Sequence, residues 1–322
     1  MVIVENSVIR RQRNLGRRLK KQWQLQAFVG LGIIWLIIFS WGPLFGLVIA
    51  FKDYSIRSGF LGIFASPWNN FKHFIEFFSY YRFGELLRNT ILLSILKLLA
   101  TFPAAILLAL LISELRNRLA KRVFQTISYL PHFVSMVLVY TIAFNLLNES
   151  SGVVNEVLLK MGFVSEPIPF MNSPKLFYGL AVTISLWKTT GWSSIIFLAA
   201  ISGVDPTLYQ AAAIDGAGRL KRVLHITLPS ILPAVVTVLI INIGSMLGGG
   251  MGGSNFEFSK LFGNASNAAT ADIIQTYSFT MGLSKGRFAF STAVDLCQSV
   301  ISLVLVMASN KISKKISGIG LF

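Results

Sequence analysis

Three ionisable side chains each stand alone in a long uncharged stretch. Lys97 is the one charge between Arg88 and Glu114, Lys188 the one between Lys175 and Asp205, and Asp295 the one between Arg287 and Lys311. Inside a bilayer such a residue costs roughly 2.5 to 3.5 kcal/mol on insertion scales and is kept facing a partner or a wet path. The two lysines can therefore snorkel to the interface or pair with Asp295. They can instead line a path for a polar or anionic solute, and two cations against one acid leave one cation able to do so. Trp187 and Trp192 flank Lys188, and indole serves equally as a stacking face for sugars or as an interfacial anchor. Asn242 opens a segment whose glycines, between 248 and 253, cannot make good helix. That segment reads as a flexible outer loop, as a close-packing surface for helices, or as unwound backbone beside a path. His132, directly after Pro131, reads as a satisfied polar group where a helix breaks.

No catalytic or metal-binding residue is expected. The chain lacks a G-x-x-x-x-G-K-[ST] phosphate loop, so it should not hydrolyse ATP itself. It has no Ser/His/Asp constellation and no clustered acidic pair of the kind a metal-dependent glycosyltransferase needs. The single cysteine, Cys297, excludes an intrachain disulfide, and no His/Cys pair has zinc spacing.

The elements that carry these residues are set by the uncharged runs. Of 322 residues 54% are apolar and only 13% charged, about half the charged share of a globular domain. A bilayer core of about 30 Å takes about 20 apolar residues as helix. Six spans follow, at 27–51, 88–113, 126–147, 177–203, 229–250 and 289–309. The first is too long for a signal peptide and has no small-x-small cleavage site behind it. The expected organisation is a basic N-terminal tail (1–26), a first transmembrane helix (27–51), an external loop (52–87), a core of five helices (88–309) and a C-terminal tail (310–322).

The net charge of +16 is a matter of topology. With six spans both termini lie on one side. Cations crowd onto that side: Arg10 to Lys21 in the tail, Arg116 to Arg122 between spans 2 and 3, Arg219 to Arg222 between spans 4 and 5, and Lys311 to Lys315 at the end. Positively charged loops stay in the cytoplasm, so both termini are expected there, with anionic lipid rather than nucleic acid as the neighbour. The long outer loops, 52–87, 148–176 and 252–288, are polar and aromatic-rich. They are expected to dock a protein, with Asn155 and Asn264 on that face.

One cytoplasmic stretch interrupts the apolar pattern: YQAAAIDGAGRLKRVLHITLP, residues 209–229. Asp205-Pro206 is a helix start, Ala211 to Ala213 make a thin helix, and Asp215-Gly216 is a stop. A second, basic helix over 219–227 follows, lying flat at the membrane face, before Pro229 opens the next span. Such an element either rests on lipid or enters a groove on a protein.

The stretch resembles the signature loop of ATP-binding-cassette importer permeases. That loop reads E-A-A, three residues, G, nine residues, I-x-L-P. Gln210, Ala211, Ala212, Gly216, Ile226, Leu228 and Pro229 fall at those spacings, and Gln210 stands where the family has Glu. FKDYS, RNT, YLPHF, SGVVN, WKTTGW and NKISKK extend the likeness along the chain, toward the oligosaccharide (LplB/MalF-like) branch that includes alginate importers. The resemblance implies an all-α, type I importer permease fold in the bacterial inner membrane. It makes 204–228 the coupling loop, with Asp215 among its residues. It implies as partners a second homologous permease, two ATPase subunits that bind ATP and magnesium, and an external solute-binding protein. It implies an oligosaccharide as cargo, acidic and alginate-like on the lysine reading. A neutral oligosaccharide importer and an ATP-independent channel are the alternatives.

Overall fold

The computed structural model describes residues 21–247, 255–318, 320 and 321. Most of the basic tail and the glycine run at 248–253 lie outside the described residues. Among these residues the protein is helical throughout, with one isolated bridge between Lys52 and Trp68. In chain order the main helices are α1 (Trp23–Phe51), α2 (Lys72–Phe78), α3 (Phe83–Ser113), α4 (Arg118–Phe133) and α5 (Met136–Leu147). They continue with α6 (Val153–Lys160), α7 (Pro174–Ser202), α8 (Pro206–Ile214), α9 (Arg219–Ser245), α10 (Asn255–Phe262), α11 (Ile274–Phe279) and α12 (Phe288–Ser317).

Helices α1, α3, α7, α9 and α12 are each long and apolar enough to cross a membrane. The expected third span, 126–147, is instead two helices, α4 and α5, bent by 94° at Val134–Ser135. The helix runs through Pro131, and the break comes where Val134 and Ser135 turn extended, with the Ser135 hydroxyl accepting from the Leu138 N–H to cap the second helix. At about 18 Å, α5 is too short to cross alone. α4 packs on α7, Ser128 against Gly191, and Val139 of α5 joins Ile184 in one apolar cluster; by length and composition the pair together passes for one span, broken at the bend.

Pro229 does not open a new helix, and the stretch from Arg219 to Thr227 does not form a separate one. A π-turn at Val223–Thr227 joins the basic turn to the following span, and α9 runs unbroken from Arg219 to Ser245. The widened turn accommodates the proline ring that a regular α-turn would exclude.

The spans are inverted relative to a water-soluble helix. On α3 the polar side chains Asn89, Thr90, Ser94, Lys97 and Thr101 are buried, while Leu92, Leu96, Leu99, Leu107 and Leu111 face outward. Thr90, Ser94, Lys97 and Thr101 recur at four- and three-residue steps, which places them on one face. That face meets α7 and α10. Phe177, Ala181, Phe258 and Phe262 pack there with Leu93, and Ala105, Ala109 and Phe197 pack lower down. By contrast, no residue of α1 between Trp23 and Leu44 is buried. Only its last turns, around Ala50, settle against the bundle.

The segments between 52 and 87, 148 and 176, and 255 and 287 close one end of the bundle. Arg82 bridges Glu85 and Asp272, each at 3.0 Å, and Arg287 holds Glu76 at 2.6 Å. Asn155 is not on the surface. It is buried, holding the loop through Asn148 and Ile168, because its amide satisfies backbone groups there. Asn264 is exposed.

Candidate functional site

At the opposite end of the bundle, α8 projects from the chain as a short helix with no buried residue. Asp205 caps it, accepting from the Thr207 N–H at 2.8 Å. That bond holds the Asp205 carboxyl below its ordinary value. The C-terminus is a Schellman turn: Ala217 N–H donates to Ala212 and Gly216 N–H to Ala213. Gly216 sits at φ +75°, a conformation that a β-carbon resists. Gln210, Ala211, Asp215 and Ile214 are exposed, and Ala212 is half-buried. Ile226 and Leu228 are half-buried on α9, beside exposed Pro229. The Tyr209 hydroxyl lies 3.0 Å from Thr227 Oγ1, tying the projecting helix to the π-turn. The result is a rigidly capped knob with an alanine face and exposed Leu208, Ile214 and Leu220. Such a shape fits a groove on another protein and buries little in lipid.

Inside the bundle, Lys97 is buried and donates to Asn255 Oδ1 at 2.8 Å. Asn255 in turn donates to Ser94 Oγ, and Ser94 to the Met246 carbonyl, both at 2.8 Å. Lys188 does something different. Its ammonium donates to the carbonyls of His132 (2.9 Å) and Val134 (2.5 Å), the groups left without helical partners at the α4–α5 break. Trp192 stacks flat on His132, ring centroids 4.5 Å apart and planes within 4°. Gly191 lets α4 approach: a β-carbon there would collide with the Ser128 carbonyl. Glu257 exerts its charge on both lysines.

Of the residues singled out from sequence, Lys188 and Trp192 thus meet at the break. Trp187 lies apart, lining an apolar groove of about 340 Å³ between α5 and α7 with Val139, Ala143, Leu180 and Ile184. Asp295 forms no ion pair with either lysine; among the described residues the ion pairs all lie elsewhere. It accepts from Ser278 Oγ at 2.7 Å and lines a polar cavity of about 410 Å³ with Gly244, Gln275, Gln298, Ser299 and Ser302. Asn242 lies half-buried on α9, two residues before Gly244. Sequence reasoning passed over Ser94, Asn255, Glu257 and the two glutamines. A signal for part of this set exists: Asp295, Gln298, Ser299 and Ser302 recur at i, i+3, i+4 and i+7, one polar stripe on an apolar helix.

The family model described as binding-protein-dependent transport system inner membrane component matches residues 101–316. A polygalacturonan/rhamnogalacturonan transport system permease protein of Bacillus subtilis, YteP, is 42% identical over 305 residues, covering 95% of this chain and 92% of its own length. The protein LplB of the same organism is 42% identical over 304 residues, covering 94% of this chain and 92% of its own. Among solved structures, a chain of a bacterial ABC transporter involved in import of the acidic polysaccharide alginate superposes with a TM-score of 0.83 at 36% identity. The match covers 94% of this chain and 99% of that one.

Proposed function

The chain belongs to the family of binding-protein-dependent transport system inner membrane components, and we propose that it is the permease subunit of an ATP-driven importer of uronate-bearing oligosaccharides. The observation that carries this reading is α8. It is a capped helix with no buried residue, held at one end of a bundle of apolar spans, in a chain without a phosphate loop. Such an element has work only if a partner binds it. In this reading the partners are two ATPase subunits, which bind ATP and magnesium, and α8 docks on one of them. A second permease completes the path, and an external solute-binding protein delivers the cargo at the Asn264 end. Both termini then lie on the cytoplasmic side. Closure of the ATPases moves α8, and the Tyr209–Thr227 bond passes that movement to α9, so the path changes its exposure.

The uronate part of the proposal is supported by the relatives. One is named for polygalacturonan and rhamnogalacturonan, and the solved transporter for alginate. The span lysines give it less support than their isolation in sequence promised, because Lys97 is anchored on Asn255 and Lys188 on backbone carbonyls. Two variants test the coupling role in the assembled importer. Gly216→Pro and Ala212→Trp should each abolish solute-stimulated ATP hydrolysis while the subunits still co-purify. Normal stimulation in a correctly assembled variant would sink the assignment.

A further inference from the structure

The cavity at Asp295 presents hydrogen-bond acceptors. Gln275 and Gln298 both turn their amide nitrogens to one group, the Leu247 carbonyl oxygen. A carbonyl only accepts, so each amide is fixed with its nitrogen on Leu247 and its oxygen turned elsewhere. Gln275 Oε1 is buried and has no hydrogen-bond partner among the described residues. An orphaned acceptor of this kind is costly. Asp295 adds a carboxylate that meets the Ser278 hydroxyl and, among the described residues, no cation. Ser299 and Ser302 complete the wall.

We propose that this cavity is a subsite for the hydroxyl face of a sugar unit, taking hydroxyl donors and refusing carboxylates. The inference rests on the oligosaccharide-import reading and adds to it a sign and a chemistry. A vicinal pair of ring hydroxyls can donate to the Asp295 carboxylate and to the hydroxyl oxygen of Ser299 or Ser302 together, while the buried Gln275 oxygen stays behind the wall. A uronate carboxylate would face Asp295 as a like charge, with no cation among the described residues of the wall to offset it. The carboxylates of an acidic cargo must therefore sit elsewhere on the path while a hydroxyl edge enters here. Size separates this ligand from a bare metal ion. A dehydrated cation needs oxygens converging at about 2.0–2.6 Å, whereas about 410 Å³ is the room of roughly a dozen waters at about 30 Å³ each and accommodates a sugar ring. The described residues of the wall include no aromatic, so selection comes from hydrogen bonds, and such sites strongly reject analogues that lack the hydroxyl.

The test is uptake of a labelled uronate trisaccharide and its monodeoxy analogues into proteoliposomes holding the complete importer and a saturating solute-binding protein. The binding protein is common to all arms, so the ratio of variant to wild type reports the permease alone. Asp295→Asn keeps the shape but removes the charge and exchanges one acceptor oxygen for a donor nitrogen. Ser302→Leu fills the cavity and touches neither glutamine's bond to Leu247. Each should lower uptake of the parent sugar by about tenfold or more, with co-purification and basal ATP hydrolysis unchanged. Asp295→Asn should also transport a monodeoxy analogue as fast as the parent, which wild type should not. Wild-type uptake in both variants overturns the subsite and leaves the import reading standing. A sodium requirement in wild type that disappears in Asp295→Asn overturns it in favour of a cation site. Absence of any saccharide uptake by wild type overturns the import reading, and this inference with it.

Discussion

The ammonium of Lys188, in the middle of α7, lies 2.9 Å from the carbonyl oxygen of His132 at the end of α4. A charged side chain thus substitutes for the backbone donors that a continuous third span would have supplied. Lys188→Met should leave two carbonyls unpartnered at membrane depth and destabilise the purified protein by about 2 kcal/mol or more. Lys188→Arg, which restores donors, should recover part of that loss. Thermal unfolding in detergent reads both. A Met variant as stable as wild type would remove the capping role.

The neighbouring glycine works by absence. A β-carbon at Gly191 would meet backbone, the Ser128 carbonyl, and backbone cannot swing aside as a side chain can. Gly191→Val should therefore force α4 off α7, lowering the yield of folded protein far more than Gly179→Val, where the space is open. Equal yields would mean that α4 is free to shift.

At the knob, Gln210 is exposed and makes no structural bond among those described. Gln210→Glu restores the residue of the resembled signature and offers a charged acceptor to a partner. ATP-dependent uptake should be unchanged or higher. A severe loss would show that the neutral amide is itself required.

Acid should loosen the Asn264 end of the bundle in one defined window. Arg287 holds the Glu76 carboxyl below its ordinary value near 4.5 through a 2.6 Å hydrogen bond. A depressed carboxylate contributes stability that is full above the unfolded value and is lost as pH falls through the lower, folded one. The melting temperature of Glu76→Gln should thus lie below that of wild type at neutral pH. The gap should close as pH falls below about 4.5, and it should be small because the pair is partly solvated. A gap that persists unchanged well below that pH would contradict the pairing.

What was legible from residues alone follows from dimensionality. An uncharged run is a one-dimensional signal, so the spans around Lys97, Lys188 and Asp295 could be read directly, as could the cap at Asp205 and the stop at Gly216. The break in the third span was legible only through a proline shortly before it. Its stabilising donor, Lys188, lies 54 residues beyond Val134, and no local pattern links the two. Pro229 misled for a related reason, because a π-turn that absorbs a proline has no distinctive composition. Lys97 read as an unpaired charge because its partner, Asn255, is uncharged and 158 residues away.

Coupling of ATP hydrolysis on partner subunits to the passage of a uronate-bearing oligosaccharide is the role proposed for this chain. The most direct measurement is ATP hydrolysis by the full complex in nanodiscs, with its solute-binding protein loaded in turn with oligogalacturonate, alginate oligosaccharide and a neutral maltooligosaccharide. Stimulation by an acidic sugar above the neutral one, lost in Gly216→Pro without loss of assembly, is the predicted result. Stronger stimulation by the neutral sugar, or solute flux that proceeds without ATP, would contradict it.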